Sequence, residues 1–182
     1  MITVAAVLAA GQSTRFGADD KLRATLHGQA LAFYAARAVA ELDVDHRIVA
    51  YRDAAVLDLF DGFDPVHVEG TQSDSLKACV SCAMQHGADR LLVSLADMPF
   101  VTTAHLEQLL SCDPNTVSAS FDGEKVTVPA CFPRRSLDAL LDIKGDQGAR
   151  VLLRSEDVVR VEAPSDVLAD IDTPEMLGRY SD

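Results

Sequence analysis

Three short segments of this 182-residue chain combine residue types suited to handling a charged, phosphorylated ligand. The first is Leu8-Ala9-Ala10-Gly11-Gln12-Ser13-Thr14-Arg15-Phe16-Gly17-Ala18-Asp19-Asp20-Lys21-Leu22. Gly11 and Gly17 let a backbone come close to a ligand, and N–H groups exposed in such a loop cradle phosphate oxygens. Arg15 supplies a forked donor and Lys21 a mobile point charge, a fitting pair for pyrophosphate. The pattern is neither a Walker A loop nor GxGxxG. A polar strand–helix connection with solvated cations is the plainer alternative. The second segment is Leu95-Ala96-Asp97-Met98-Pro99-Phe100, where an acidic residue follows an apolar run. Asp97 there suits a hard cation, or else caps a turn. The third is Leu168-Ala169-Asp170-Ile171-Asp172-Thr173-Pro174. In an extended segment Asp170 and Asp172 point the same way, so a second metal ligand is available, unless Asp172 only assists the start of a helix.

Two further segments are weaker. Gly70-Thr71-Gln72-Ser73-Asp74-Ser75-Leu76-Lys77 offers hydroxyls for ribose or base, Ser75 among them, and equally offers a helix cap. Lys144-Gly145-Asp146-Gln147-Gly148-Ala149-Arg150 could form a lip for a second substrate through Asp146, Gly148 and Arg150, or simply connect two helices. No Ser/His/Asp or Cys/His arrangement for nucleophilic catalysis stands out. Cys79 and Cys82 form a lone CxxC inside a predicted helix and read as small buried residues rather than a zinc or redox pair. The histidines, His27, His46, His67, His86 and His105, share no metal-ligand spacing and read as surface or edge residues.

The elements that must position these segments alternate between strand and helix. Apolar runs fall at Thr3–Leu8, Arg47–Tyr51, Val66–Val68, Arg90–Leu95 and Thr116–Ser120. Between them lie segments of helical period at Leu31–Leu42, Ser73–Gln85 and Thr103–Leu110. This alternation predicts an α/β fold, a Rossmann-like three-layer sandwich with a mostly parallel sheet. A turn signal at Phe121–Glu124 between Val117–Ser120 and Val126–Phe132 predicts a late antiparallel hairpin. Helices are expected at Ser136–Leu141 and Ala149–Ser155, a strand at Val158–Val161, and a last helix from Pro174 capped by Thr173. In open parallel sheets ligands bind beyond the C-terminal strand ends, where the first two segments fall. Length and composition indicate one domain spanning 1–182. A net charge of −12 argues against nucleic-acid binding. No apolar run is long enough to span a membrane, and without a basic leader a cytoplasmic protein is expected.

The same segments resemble a known family. LAAGQSTRFGADDKL is similar to the signature of the molybdenum-cofactor nucleotidyltransferases. VEGTQSDSLKA, LADMPFVT, GDQGAR and DIDTPEML follow in that family's order, so the resemblance spans essentially the whole chain. LAAG at Leu8–Gly11 is similar to the cytidylyl branch, whereas guanylyl members typically read LAGG. The resemblance implies CTP as donor, Mg²⁺ as cofactor, a molybdopterin acceptor and a molybdoenzyme as recipient of the product. It makes Arg15, Lys21 and Asp97 catalytic, and Leu8, Ala10, Gly11, Gly17 and Ser75 nucleotide-binding. Asp146, Gly148 and Arg150 become acceptor-binding, and Asp97 and Asp170 metal ligands. Two alternatives stay open. One is a nucleotidyltransferase using GTP or a sugar or polyol phosphate; the other is a non-catalytic protein that delivers cofactor to a molybdoenzyme.

Overall fold

The structure, a computed structural model, describes residues 1–11, 16, 20–143, 149–154 and 157–181. Seven strands form one sheet in the order β5-β4-β1-β6-β8-β7-β9. They are β1 (Thr3–Ala9), β4 (His46–Tyr51), β5 (Asp64–His67), β6 (Arg90–Leu95), β7 (Val117–Phe121), β8 (Val126–Pro133) and β9 (Val158–Glu162). β1 pairs in parallel with β4 and β6, β4 with β5, and β7 with β9, while β8 runs antiparallel to both its neighbours. The expected late hairpin is β7–β8, inserted between parallel strands. A bulge between Ala119 and Ser120 interrupts its register.

Val4, Ala5, Ala6 and Val7 are all essentially inaccessible, as are Leu91, Leu92 and Val93. Successive strand residues point to opposite faces, so β1 and β6 are covered on both sides. The covering helices are α1 (Leu31–Ala40), α3 (Gln72–Gln85), α4 (Thr103–Ser111) and α5 (Arg134–Leu141). α1 packs beside α4, and α3 beside α5. The CxxC falls inside α3, where Cys79 and Ala83 share the fully buried face. Burial pushes the Cys79 thiol up to about 12, so it is a packing residue rather than a nucleophile. Short helices α2 (Ala54–Leu57), α6 (Arg150–Leu153) and α7 (Pro174–Arg179) complete the set.

Between β1 and α1 lies a feature the hydrophobic pattern does not announce. A 3-10 turn over Lys21–Arg23 leads into a two-stranded antiparallel ribbon, β2 (Thr25–Leu26) with β3 (Gln29–Ala30). Its turn residues His27 and Gly28 have φ of 46° and 82°, as a tight hairpin of this hand requires. Leu26, Leu31 and Ile171 form a small satellite core, with Phe16, Tyr34, Phe100, Met176, Leu177 and Tyr180 packed around it. The C-terminal segment is thereby docked onto the front of the sheet. None of the helices among the described residues is long and apolar enough to cross a membrane.

One histidine departs from the surface placement expected of all five. His105, on α4, is 5% exposed, and its Nε2 lies 2.8 Å from Ser120 Oγ. That hydroxyl donates to the Pro129 carbonyl, also at 2.8 Å, so it accepts from the ring and the neutral Nε2–H tautomer is set. Sequence periodicity places His105 on the α4 stripe with Leu106 and Leu109, all buried; its inward polar tip is tolerated because Ser120 meets it. Burial holds the His105 pKa below the ordinary imidazole value. In acid the unfolded chain binds a proton that the folded chain refuses. The stability held by neutral His105 is therefore lost as pH falls through about 6.5 toward the depressed folded value. The stability difference between wild type and His105→Gln should accordingly shrink between pH 7.5 and about 5 when melting is followed by circular dichroism. Parallel pH curves for the two proteins would remove His105 from the acid sensitivity.

Candidate active site

β1 and β6 run side by side, with Leu8 opposite Leu95. Just beyond that pair the backbones diverge, and a cavity of about 250 Å³ opens. Leu8, Ala10 and Gly11 from the end of β1 line it, with Leu95 and Asp97 from the end of β6. Lys21 and Leu22 enter from the 3-10 turn, Gln72 and Ser75 from the first turn of α3, and Asp170 and Asp172 from the C-terminal segment. The first three segments picked out in the sequence thus meet at the carboxyl end of the sheet.

At the centre sits Lys21, only 7% exposed. Its Nζ lies 2.6 Å from Asp97 Oδ2 and 2.8 Å from Asp172 Oδ1. Burial pulls its pKa down, but the two carboxylates outweigh it and leave the ammonium above its ordinary value. For Asp97 the balance is reversed. Burial is the largest influence and raises its pKa; Lys21 opposes, and Asp170 and Asp172 add to the rise. The second oxygen, Asp97 Oδ1, is buried with no hydrogen-bond partner. A buried carboxylate oxygen without a donor costs free energy unless a ligand satisfies it.

That orphaned oxygen tests whether a divalent cation fits. Its carboxylate belongs to a site where three carboxylates meet one ammonium among the described residues, leaving two negative charges that one divalent ion cancels. All the donors are hard oxygens, the set that Mg²⁺ and Mn²⁺ prefer. The residues present fit such an ion, and Asp97 with Asp170 would hold it.

Local structure explains why these side chains are available. Asp97 does not cap: Thr102 caps α4, accepting from the His105 N–H. The last helix takes its side-chain cap from Thr173, whose Oγ1 accepts from Met176 N–H at 3.2 Å. The Asp172 carboxylate reaches Lys21. In the extended Asp170–Asp172 segment, Ile171 is fully buried in the satellite core while both flanking carboxylates line the cavity. A backbone bond from Ile171 N–H to Asp97 carbonyl, 2.9 Å, ties the two acidic segments together. On α3, Thr71 and Asp74 form a reciprocal capping box. A Cβ at Gly70 would lie 2.5 Å from Asp74 Oδ2, so glycine is needed for that cap. Capping and pocket lining coexist in this segment. Ser75 is buried, donates to the Thr71 carbonyl at 3.2 Å, and lines the cavity with Gln72.

Of the residues picked out in the sequence, Leu8, Ala10, Gly11, Lys21, Ser75, Asp97 and Asp170 share this cavity. Arg15, Gly17, Asp146 and Gly148 lie outside the described residues, as does the side chain of Arg150 at the start of α6. Asp172 as a partner of Lys21, and Leu22, Gln72 and Leu95 as walls, were not singled out for these roles. Arg52 was missed altogether: its guanidinium donates to the Gly11 carbonyl at 3.0 Å and steadies the entrance of the glycine loop. It follows β4, and position beyond a strand end was the signal that could have found it.

The family model for the MobA-like NTP transferase domain matches residues 5–161. The purine catabolism protein PucB of Bacillus subtilis is 31% identical over 92% of this chain and 90% of its own length. Among solved structures, Rv0371c of Mycobacterium tuberculosis superposes with a TM-score of 0.87 at 25% identity, covering 98% of this chain and 97% of that one. The same mycobacterial protein in complex with manganese gives 0.85 at 24%, covering 100% and 98%. A nucleotidyl transferase from Methanothermobacter thermautotroptrophicus shares the fold with a TM-score of 0.82 at 22%, over 99% and 96% of the chains. With a match running from β1 into β9, the chain belongs to the MobA-like NTP transferase domain family and is a nucleotidyltransferase.

Proposed function

We propose that the protein transfers CMP from CTP to the terminal phosphate of a molybdopterin-type acceptor, releasing pyrophosphate, with Mg²⁺ as cofactor. One observation carries the transferase chemistry: the buried Lys21 ammonium held between Asp97 and Asp172, with Asp97 Oδ1 unsatisfied beside it. The choice of CTP rests on the LAAG sequence at Leu8–Gly11, and the acceptor on the LADMPF, GDQGAR and DIDTP segments. A cytoplasmic location and delivery of product to a molybdoenzyme belong to the same reading.

The reaction is in-line attack of an acceptor phosphate oxygen on the α-phosphorus, with the bond to the β-phosphate oxygen breaking. The acceptor phosphate is already ionised, so no general base has to be supplied. A bound Mg²⁺ would act as a Lewis acid on phosphate oxygens, held by Asp97 and Asp170. The chain's own residues supply position and charge. Arg15 and the Gly11–Gly17 backbone grip the β- and γ-phosphates. Gln72 and Ser75 offer polar contacts to ribose or base from the first turn of α3, whose N-terminal end favours negative charge. Lys21, anchored by two carboxylates, holds positive charge where it grows negative on the reacting phosphate, at no reorganisation cost. Asp146, Gly148 and Arg150 receive the acceptor.

Three outcomes test this reading. With Mg²⁺ present, CTP should raise the melting temperature more than GTP, ATP or UTP at matched concentration; a larger shift with GTP overturns the donor assignment. Asp97→Ala, in which Asp172 still pairs with Lys21, should fold with a lowered melting temperature and lose turnover, a deficit of several kcal/mol in transition-state stabilisation, scored by pyrophosphate release. Near-normal activity at saturating Mg²⁺ would put the cation elsewhere. Arg15→Ala should chiefly raise KM for CTP, because gripping outer phosphates is uniform binding, whereas Lys21→Ala should lower kcat by roughly 10²–10³. A Lys21→Ala enzyme with unchanged kcat and raised KM would reduce Lys21 to a binding residue.

A further inference from the structure

At the opposite end of the sheet, side chains that stand far apart in sequence converge. His46 opens β4, Asp64 opens β5, and His86 follows the last turn of α3. One ligand atom from each lies within 4.8 Å of the other two. His86 Nε2 is 3.1 Å from Asp64 Oδ2, and the two imidazole rings stack with centroids 4.0 Å apart. His46 and His86 are half-buried, as edge residues are, and share no ligand spacing along the chain. Spacing along the chain concealed a set that β4–β5 pairing and the α3 cap assemble. His46 pairs with Val4 near the start of β1, whereas the cavity begins at Leu8. At ~3.3 Å per residue the two places are separated by at least ~13 Å along the strand.

The backbone supports of the three residues are fixed independently. Asp64 is in register with Ile48, two residues after His46 and on the same face of the sheet. The His86 N–H donates to the Cys82 carbonyl at 3.1 Å, and Gly87, at φ +73°, turns the chain away directly after. The side chains themselves are half-buried or exposed, so an ion can reach them and they can rotate. Bonds of ~2.0–2.1 Å in a tetrahedral site put donor atoms ~3.3 Å apart, so binding would turn the two stacked rings out of parallel until their nitrogens converge. Two imidazole nitrogens and one carboxylate oxygen form a borderline-soft set, chemically unlike the all-oxygen cavity.

We infer that His46, Asp64 and His86 form a transition-metal site of the zinc class, with a fourth position open to water, that staples edge strand β5 and its neighbour β4 to the end of α3. The site is independent of the nucleotide reading. Its ion carries structure rather than turnover, because the site lies away from the cavity and bridges three elements.

Untagged, chelator-treated protein titrated with Zn²⁺ by calorimetry, with melting followed in parallel, tests this. Zn²⁺ should bind with one-to-one stoichiometry at this site and raise the melting temperature. His46→Ala and His86→Ala should each weaken binding more than about tenfold, and Asp97→Asn should leave it intact. Excess Mg²⁺ should not compete, and Co²⁺ in place of Zn²⁺ should give the strong visible absorption of a four-coordinate site. Should a histidine variant fail to fold, Asp64→Asn, altering an exposed side chain, reports the same loss. Unchanged Zn²⁺ affinity in His46→Ala and His86→Ala, or loss of binding in Asp97→Asn, overturns the site. So does loss in Cys82→Ser with both histidine variants normal, which would assign the metal to the thiol one turn earlier.

Discussion

A lysine ammonium cannot be buried without compensation, and the front of this molecule is organised around that constraint. Desolvating a charge costs several kcal/mol, which opposed charges at hydrogen-bond distance offset. Lys21 meets it with two carboxylates from different parts of the chain. They in turn leave the Asp97 carboxylate half satisfied, with one oxygen on Lys21 and the other without a partner. The proposed binding of an ion and a polyphosphate would use this condition: charges fixed before the ligands arrive, and a buried oxygen still to be satisfied. The parallel sheet supplies the fixed point, because Asp97 follows a strand buried on both faces.

Rigid support reaches the third carboxylate by a different route. The C-terminal segment is not part of the sheet. It is held by Ile171 in the satellite core and by the bond from its N–H to the Asp97 carbonyl. The β2–β3 ribbon and the first turn of α1 build the other wall of that core through Leu26 and Leu31. Helix α1 therefore works on two sides. Ala32, Ala35, Ala36 and Val39 are buried in the main core, while Leu31 and Tyr34 belong to the satellite. The geometry of the cavity carboxylates thus depends on apolar packing that itself contains no charged residue.

Much of this was legible in the sequence, for a physical reason. Strands buried on both faces need unbroken apolar runs, so β1 and β6 were readable almost to the residue, and the loops after them follow by topology. The hairpin β7–β8 was marked by its turn, and α7 by Thr173 and Pro174. What escaped depends on three-dimensional convergence. Asp172 reads as a second metal ligand or an aid to the helix start because its partner Lys21 lies 151 positions away and leaves no local pattern. His105 occupies an apolar stripe, but only Ser120, on another element, makes its burial tolerable. The short β2–β3 ribbon has too few residues for a period to register. His46, Asp64 and His86 come from three elements and share no local pattern.

The ion pair between Lys21 and Asp172 spans 151 positions of the chain. Contacts of such long loop closure form late, because the entropy of bringing distant segments together is lost before the contact contributes. On a ribosome, the glycine loop and the whole of β6 emerge well before Asp172 does. Until the last carboxylate docks, the nascent chain holds a lysine whose burial is only partly compensated, and the front wall stays loose. The cavity is therefore complete only when nearly the whole chain has been made, since one of its carboxylates comes from the third segment.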